Sequence, residues 1–306
     1  MSFRTLEDKI QTIGNPVEML RNASAGPYQF PIKAEFTNWR DEQKTWRSGA
    51  VLFDQSFHMT DHYIEDYNLI RDEILRVGEP MGLRAAGSKA YSTVAHESGW
   101  FPSPLPAVYS GEKMKPFREW LGADSFISNL SLGGSLVSDN VEDYYLTPYD
   151  IGYGHIVKFD HDFIGREALE AKKNQPHKHK RTLRWSNDDV VRVFASIFNE
   201  GDRFKFMDIP ASHYATCPYD LVCKDSKAVG LSHYPVYTSN VGEWISLALL
   251  DEGVAEPGTD VSLTWGESDG GTKKPTVERH VQTEIACTVE LCPILRSGKR
   301  EPVAKT

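Results

Sequence analysis

The stretch TPYDIGYGHIVKFDHDFIGREAL, residues 147–169, is the most informative part of this 306-residue chain. It starts with a threonine-proline pair and contains a glycine-x-glycine at Gly152 and Gly154. Its last part, residues 163–169, has the pattern of an entry into a helix. Residues 172–181 follow, rich in lysine and histidine, and predict a solvated linker. We therefore expect a domain boundary here, between residues 1–174 and residues 175–306.

The two sides of this boundary differ in pattern. The C-terminal side predicts many short strands separated by turn residues, at 182–185, 228–232, 244–250, 261–265 and 285–291. Such spacing favours a small sandwich or barrel. The N-terminal side predicts two short helices within residues 5–22, a buried strand at 50–53 and a helix at 65–78. The glycine- and proline-rich residues 87–111 predict a loop, or a short strand with loops on both sides. The predicted fold class is α+β, with a C-terminal β-rich domain.

Composition narrows the function classes. The net charge of −9 and the pI near 5.6 argue against nucleic acid as a partner. Apolar runs fall short of the ~20 residues that span a membrane. The first residues lack the pattern of a secretory signal, so we expect a cytoplasmic protein. Reduced thiols are expected, because the few cysteines have irregular spacing: Cys217, Cys223, Cys287 and Cys292.

Two motifs that suggest ligands are incomplete. His58 and His62 stand four apart, as zinc ligands on a helix do, but no glutamate follows the first histidine and the segment comes after a strand. Residues 266–273, GESDGGTK, are similar to a phosphate-binding loop, yet threonine stands where lysine must follow the second glycine. We expect no metal and a simple β-turn. No hydrolase triad can be chosen from sequence order alone.

Three groups of motifs together identify a family resemblance. Residues 82–91, leading to Glu97-Ser98-Gly99-Trp100 and Gly111-Glu112, and the opening stretch 147–169 resemble the folate-binding methyltransferases of the glycine-cleavage T-protein superfamily. The third group looks like the tetrahydrofolate-dependent aryl-ether O-demethylases of the vanillate and syringate type: residues 15–22, 38–40, 51–59 and 97–109. The resemblance implies a T-protein-like fold, with residues 1–174 binding folate and substrate.

One departure from the family pattern stands out. That family has a substantial segment, most of a folate-binding subdomain, between the strand after His58-Met59 and the helix that begins near Tyr67. Here only residues 60–66 connect them. The resemblance thus implies an internal deletion, and three alternatives stay open: an active O-demethylase, another T-protein-like folate enzyme such as an aminomethyltransferase or a sulfonium demethylase, and an inactive folate-binding protein.

The implied reaction is transfer of a methyl group from a methoxylated aromatic acid to tetrahydrofolate, as in the catabolism of lignin-derived aromatics. The leaving phenolate gains charge, so a nearby proton donor lowers the barrier. Tyr91 matches the family's catalytic tyrosine, and tyrosine, itself a phenol, is close in acidity to the product. His58, the second catalytic candidate, and Gln55 follow the buried strand and can hydrogen-bond the substrate. Alternatively, Tyr91 or His58 packs in the protein core with its polar group hydrogen-bonded there and has no catalytic role.

The remaining candidates concern binding. Tyr28 and Phe30 are expected to line the aromatic pocket, or else to pack in an ordinary core. Glu97 matches the superfamily's pterin-binding glutamate, since a carboxylate can accept from two neighbouring N–H groups, and its alternative is an exposed loop residue. Trp100 could stack on the folate or belong to the core. The expected partner is a small aromatic methyl ether, and the sequence predicts no oligomeric state.

Overall fold

The computed structural model describes residues 3–54, 64–102, 104–271 and 274–294. The helices of these ranges are α1 (Leu6–Ile13), α2 (Pro16–Arg21), α3 (Trp39–Ser48), α4 (Ile64–Gly78), α5 (Ser88–Ser98), α6 (Lys115–Trp120), α7 (Arg166–Lys172) and α8 (Asn187–Ala195). The strands are β1 (Ala50–Phe53), β2 (Leu83–Ala86), β3 (Leu132–Gly133), β4 (His179–Trp185), β5 (Cys217–Lys224), β6 (Lys227–His233), β7 (Val236–Thr238), β8 (Glu243–Leu250), β9 (Asp260–Trp265) and β10 (Thr283–Glu290).

The two N-terminal helices form where the sequence predicts them. The side chain of Thr5 accepts from the backbone of Asp8 in a reciprocal capping box, and α1 ends at Gly14 in the left-handed conformation. Asn15 then caps α2 by accepting from Val17 N at 2.7 Å, with proline in the first helical turn. The break between the helices is therefore encoded locally, by residues 14–16.

The C-terminal half is a closed six-stranded β-barrel. Its strands follow the order β5-β6-β8-β4-β10-β9, and β9 returns to pair with β5. Two short strands add to it: β7 pairs with β8, and β3 runs parallel to β5. The predicted fold class is confirmed, as are the five strand predictions. Strands β3, β5 and β7 and helices α3, α6 and α8 were not predicted.

Strand β8 shows how the barrel joins the rest of the molecule. Its even-numbered residues, among them Trp244, Ala248 and Leu250, pack with the barrel cluster. The odd-numbered Leu247 and Leu249 face the opposite way and pack with Leu6 and the other residues of the N-terminal helices. Both faces of β8 are thus buried, which explains its largely apolar sequence.

Two sequence predictions near the centre of the chain are wrong. Residues 87–111 do not form one long loop, because α5 occupies the first half of this stretch. The lysine-rich residues 172–181 are only partly a linker, since β4 begins at His179 and pairs with β8 from that residue onwards. Strand β1 is less buried than its apolar sequence suggests: among the described residues it pairs, in parallel, only with β2, and each of its residues stays at least partly accessible.

Helix α4 confirms a predicted helix but leaves its apolar residues uncovered. Large hydrophobic side chains along it and just after it are solvent-exposed: Leu69, Ile70, Ile74, Val77 and Met81. An amphipathic helix normally buries such residues against a neighbour. Within the described ranges α4 has contacts mainly with β2 and the turn that follows it. No helix in these ranges has both the length and the apolar character needed to cross a membrane.

Candidate active site

A largely apolar cavity of about 660 Å³ lies between α5 and the loops that precede β5 and follow β6. Aromatic rings and prolines make up much of its wall: Tyr28, Phe30, Tyr91, Trp100, Phe126, Tyr234, Pro102, Pro104 and Pro106. The polar atoms come from a few hydroxyl groups, a thiol and His213. This composition suits a flat, mostly apolar ligand that carries one or two polar groups.

Tyr91 stands in the first turns of α5, and the start of that helix is fixed by close backbone contacts. Gly87 approaches Ala34 so closely that a Cβ at position 87 would lie 2.4 Å from its carbonyl oxygen. The Glu42 carboxylate accepts from Gly87 N at 2.9 Å. The Tyr91 ring then meets the rings of Phe30 and Phe53 edge to face, each with 5.1 Å between centroids. A phenol is thereby held in the wall of the cavity.

The opposite wall carries a flat pair of rings. His213 stacks on Tyr234, with 4.1 Å between centroids and 9° between planes. The Tyr234 hydroxyl donates to Ser92 O on α5 at 3.4 Å, a long bond that links the wall to the helix of Tyr91. Two more buried histidines pack behind this pair, His96 on α5 and His233 at the end of β6.

Burial keeps these histidines uncharged. It lowers the pKa of His96 to about 3 and that of His213 to about 4, and it holds the pKa of His233 well below the ordinary value. His96 Nε2–H donates to Tyr234 O at 2.8 Å, while both ring nitrogens of His233 lack a hydrogen-bond partner among the described residues. The wall behind the cavity is therefore neutral near pH 7.

Glu97 lies on a different face of α5 from Tyr91, buried between α3 and β7. Its carboxylate accepts from Trp46 Nε1 at 2.8 Å, from Asn240 Nδ2 at 3.0 Å and from the Thr238 hydroxyl. Burial raises the pKa of this carboxyl, although these hydrogen bonds oppose the shift. Glu97 is thus a buried helix residue with partners inside the protein, and the alternative of an exposed loop glutamate is wrong.

The structure brings four of the predicted site residues together. Tyr28, Phe30, Tyr91 and Trp100 all line the aromatic cavity, whereas Glu97 does not. Gln55 and His58 lie outside the described residues. Sequence reasoning missed His213 and Tyr234, which stand more than a hundred positions from Tyr91 and carry no local motif. Only the spatial neighbourhood identifies them.

Metal binding finds no support in the described ranges. No group of three or more histidine, cysteine or acidic side chains there is placed to hold an ion. The pair His58 and His62 lies outside those ranges. The four cysteines all lie in the described ranges and form no disulfide there.

Comparison with known proteins identifies the family. Syringate O-demethylase of Sphingobium sp. (strain NBRC 103272 / SYK-6) is 48% identical over 450 residues, covering 96% of this chain and 97% of that protein. Sesamin methylene transferase of Sinomonas sp. (strain No.22) is 31% identical over 208 residues, covering 63% of this chain and 46% of that protein. No protein-family model matches. The chain belongs to the syringate O-demethylase family.

Among solved structures, the chain is similar to the glycine cleavage system aminomethyltransferase T from Bartonella henselae. The TM-score is 0.39 at 12% identity, covering 74% of this chain and 44% of that one. The alignment with the syringate enzyme is more informative about length. Its 450 positions exceed the 306 residues of this chain, so more than a hundred of them have no counterpart here. The uncovered face of α4 fits the loss of a neighbouring segment.

Proposed function

We propose that this protein is a tetrahydrofolate-dependent O-demethylase. It removes the methyl group of a methoxylated aromatic acid and yields 5-methyltetrahydrofolate and a phenol. The observation that carries the proposal is the aromatic cavity with Tyr91 in its wall, in a chain that is 48% identical to a syringate O-demethylase.

The cavity has the right chemistry for both aromatic partners. Its rings offer edges and faces to a benzoate and to a pterin, and its few polar groups can select their orientation. Trp100 is about half exposed at the cavity wall, where an indole can stack on a flat ligand. Gln55 and His58 follow closely after Phe53, whose ring contacts Tyr91, so we assign them to orientation of the substrate ether.

Tyr91 is the proton donor in this proposal. When bound, tetrahydrofolate supplies the N5 amine that accepts the methyl group. As the methyl carbon–oxygen bond breaks, the electron pair stays on the aryl oxygen, and the Tyr91 hydroxyl gives that oxygen a proton. The proton that the amine loses on methylation then restores the Tyr91 hydroxyl, so the step leaves no net charge on the protein. The largely apolar wall offers water few hydrogen-bond partners near this oxygen, and the neutral His213 and Tyr234 add no charge that would compete for the proton.

The two alternatives differ from this proposal in testable ways: another folate enzyme needs a cavity of different charge, and an inactive folate-binding protein binds folate without methyl transfer. An aminomethyl or sulfonium substrate carries positive charge and would favour acidic groups, but no acidic side chain lines the described part of this cavity. An inactive folate-binding protein is favoured by one observation, the segment missing between β1 and α4 relative to the family. We place this deletion at residues 60–66 and keep residues 1–174 as the folate- and substrate-binding region.

An isotope-transfer experiment tests the proposal. Vanillate or syringate with a ¹³C-labelled methoxy group is incubated with the protein and tetrahydrofolate, and the product is followed by NMR. Labelled 5-methyltetrahydrofolate together with the free phenol is the expected result. A parallel calorimetric titration with tetrahydrofolate gives the binding constant. Binding without transfer would establish the inactive alternative, and the absence of both would contradict the assignment.

The proposed reaction also suggests a cellular compartment and a metabolic role. Methoxylated aromatic acids of this kind are products of lignin breakdown, and reduced folate is an intracellular methyl acceptor. We therefore propose a cytoplasmic enzyme of lignin-derived aromatic catabolism, and a fold without disulfides among its four cysteines is compatible with that compartment. Fractionation of cells that express the protein, followed by immunoblotting, tests the location.

A further inference from the structure

Ser98 and Trp100 line two cavities at once. One is the aromatic cavity. The other is an open groove of about 460 Å³ that also begins at the C-terminal end of α5. We call this second cavity the basic groove. Its lining residues are Ser98, Gly99, Trp100, Tyr149, Gly152, Tyr153, His155, Lys178, His179, Lys180, Arg181, Cys292 and Pro293. The indole of Trp100 stands where the two cavities adjoin.

The charge of the groove is opposite to that of the chain. Lys178, Lys180 and Arg181 contribute positive charge, and no acidic side chain is among the described lining residues. The chain as a whole carries a net charge of −9. A concentration of positive charge beside an apolar cavity, on an acidic protein, attracts an anionic group attached to an aromatic ligand.

Two of the basic side chains, Lys180 and Arg181, are held by uncharged groups, which leave their positive charge available to a ligand. Lys180 Nζ donates to Gly99 O at 2.6 Å and lies 4.7 Å from the centre of the Tyr153 ring. Arg181 donates to two carbonyl oxygens, including Ala255 O. Carbonyl oxygens orient a cation without neutralising it. Burial lowers the pKa of Lys180, a shift that an incoming carboxylate would reverse.

Lys178 is the exception, because it pairs with a carboxylate. Its Nζ lies 2.6 Å from Asp251 Oδ1, and both side chains are well exposed. Exposed pairs of this kind contribute little, so a bound anion can share the lysine at small cost. The rest of the groove is shaped by residues 149–155, where a Cβ on Gly152 would lie 3.1 Å from the Lys180 side chain.

We propose that the basic groove binds the carboxylates of the γ-linked glutamyl tail of tetrahydrofolate. This inference rests on the proposed function. The ring system lies in the aromatic cavity, Trp100 marks the passage between the two cavities, and the negatively charged tail extends along Lys178, Lys180 and Arg181. Each added glutamate brings one carboxylate, so the groove makes the protein selective for polyglutamylated folate.

The test compares tetrahydrofolate carrying one and three glutamates, using calorimetry on the full chain. The wild type should bind the triglutamyl form roughly fivefold to tenfold more tightly, as expected for two or three exposed charge pairs. This preference should shrink as sodium chloride is raised from about 50 mM to 500 mM, because salt screens exposed charges. The measured quantity is the ratio of two dissociation constants, which does not depend on the fraction of active protein.

Variants locate the effect. Lys178→Gln and Lys180→Gln should each reduce the ratio, and the double variant should bring it close to one. Lys227→Gln, an exposed lysine of β6 outside the groove, is the matched control and should keep the wild-type ratio. Equal affinity of the wild type for both forms, or an unchanged ratio in the double variant, would overturn the groove assignment alone. Failure of both forms to bind would overturn the proposed function as well.

Discussion

The rings of Phe53 and Tyr91 meet edge to face, with 5.1 Å between centroids and 66° between planes. Phe53 is the last residue of β1, and Tyr91 stands in α5, which follows the partner strand β2. The contact therefore ties the end of β1 to the proposed proton donor. It fixes the position of the Tyr91 ring against this strand.

Glu97→Gln should lower the free energy of unfolding by about 1–3 kcal/mol. An amide replaces one acceptor oxygen with a donor, which then opposes the buried N–H groups of Trp46 and Asn240. Urea denaturation measures the loss, and Glu112→Gln, at an exposed glutamate, is the control. If Glu97 serves the pterin directly instead, the variant will lose affinity for tetrahydrofolate while keeping its stability.

The protein should lose stability as the pH falls below about 6.5. The unfolded chain protonates its histidines near that value, whereas burial keeps His96, His213 and His233 neutral in the folded state to much lower pH. The unfolded state then binds more protons, so stability decreases with decreasing pH, by up to ~1.4 kcal/mol per pH unit for each histidine. Below about pH 6 the buried Asp220 opposes the trend, because burial raises its pKa to about 6.

Urea denaturation between about pH 8 and pH 5 checks this dependence, and His233→Leu isolates one contribution. That variant should reduce the slope of unfolding free energy against pH by about one proton, since both nitrogens of His233 lack partners among the described residues. An unchanged slope in the variant, or a flat profile in the parent below pH 6.5, would show that these histidines are not linked to unfolding.

Trp100→Leu should weaken tetrahydrofolate binding about twofold to tenfold, the loss expected when one aromatic stacking contact disappears. The side chain is 51% exposed, so the melting temperature should change little. Trp100→Phe keeps an aromatic face and should recover most of the affinity. Equal dissociation constants for the leucine variant and the parent would remove Trp100 from the folate site.

The exposed apolar residues of α4 should make the protein associate at high concentration. Ile70→Glu combined with Val77→Glu should reduce the average mass measured by light scattering without lowering the unfolding free energy, because both side chains are already exposed. Val191→Glu, at a separate exposed valine of α8, is the control and should have no such effect. Lower stability of the double variant would mean that this face is covered within the chain.

Much of this fold could be predicted from local patterns. The helix break at residues 14–16 is encoded by glycine, asparagine and proline. The barrel strands show either alternating apolar and polar residues or a largely apolar run, and both patterns are typical of strands. Helix α5 could not be predicted in this way. The face that it buries includes Thr93, His96 and Glu97, so its apolar residues show no helical period. Its ends are set by tertiary contacts at Gly87 and by the left-handed Gly99.

The site was predictable only through the family resemblance, and only in part. Motifs along the chain pointed to Tyr28, Phe30, Tyr91 and Trp100, which the cavity unites. His213 and Tyr234 come from the loops around the barrel, and nothing in their own sequence neighbourhood marks them. The partners of Glu97 are equally remote, since Thr238 and Asn240 approach it only after β7 packs on α5.

The rate of methyl transfer by the parent and by Tyr91→Phe, measured over aryl methyl ethers whose phenols differ in acidity, tests the central claim most directly. The variant keeps the ring that Phe30 and Phe53 contact, so binding should change little. We predict a rate loss of ~10²–10⁴-fold that shrinks as the leaving phenol becomes more acidic, because such phenols need less help from a proton donor. An active parent whose Tyr91→Phe variant keeps the full rate on every ether would contradict the account.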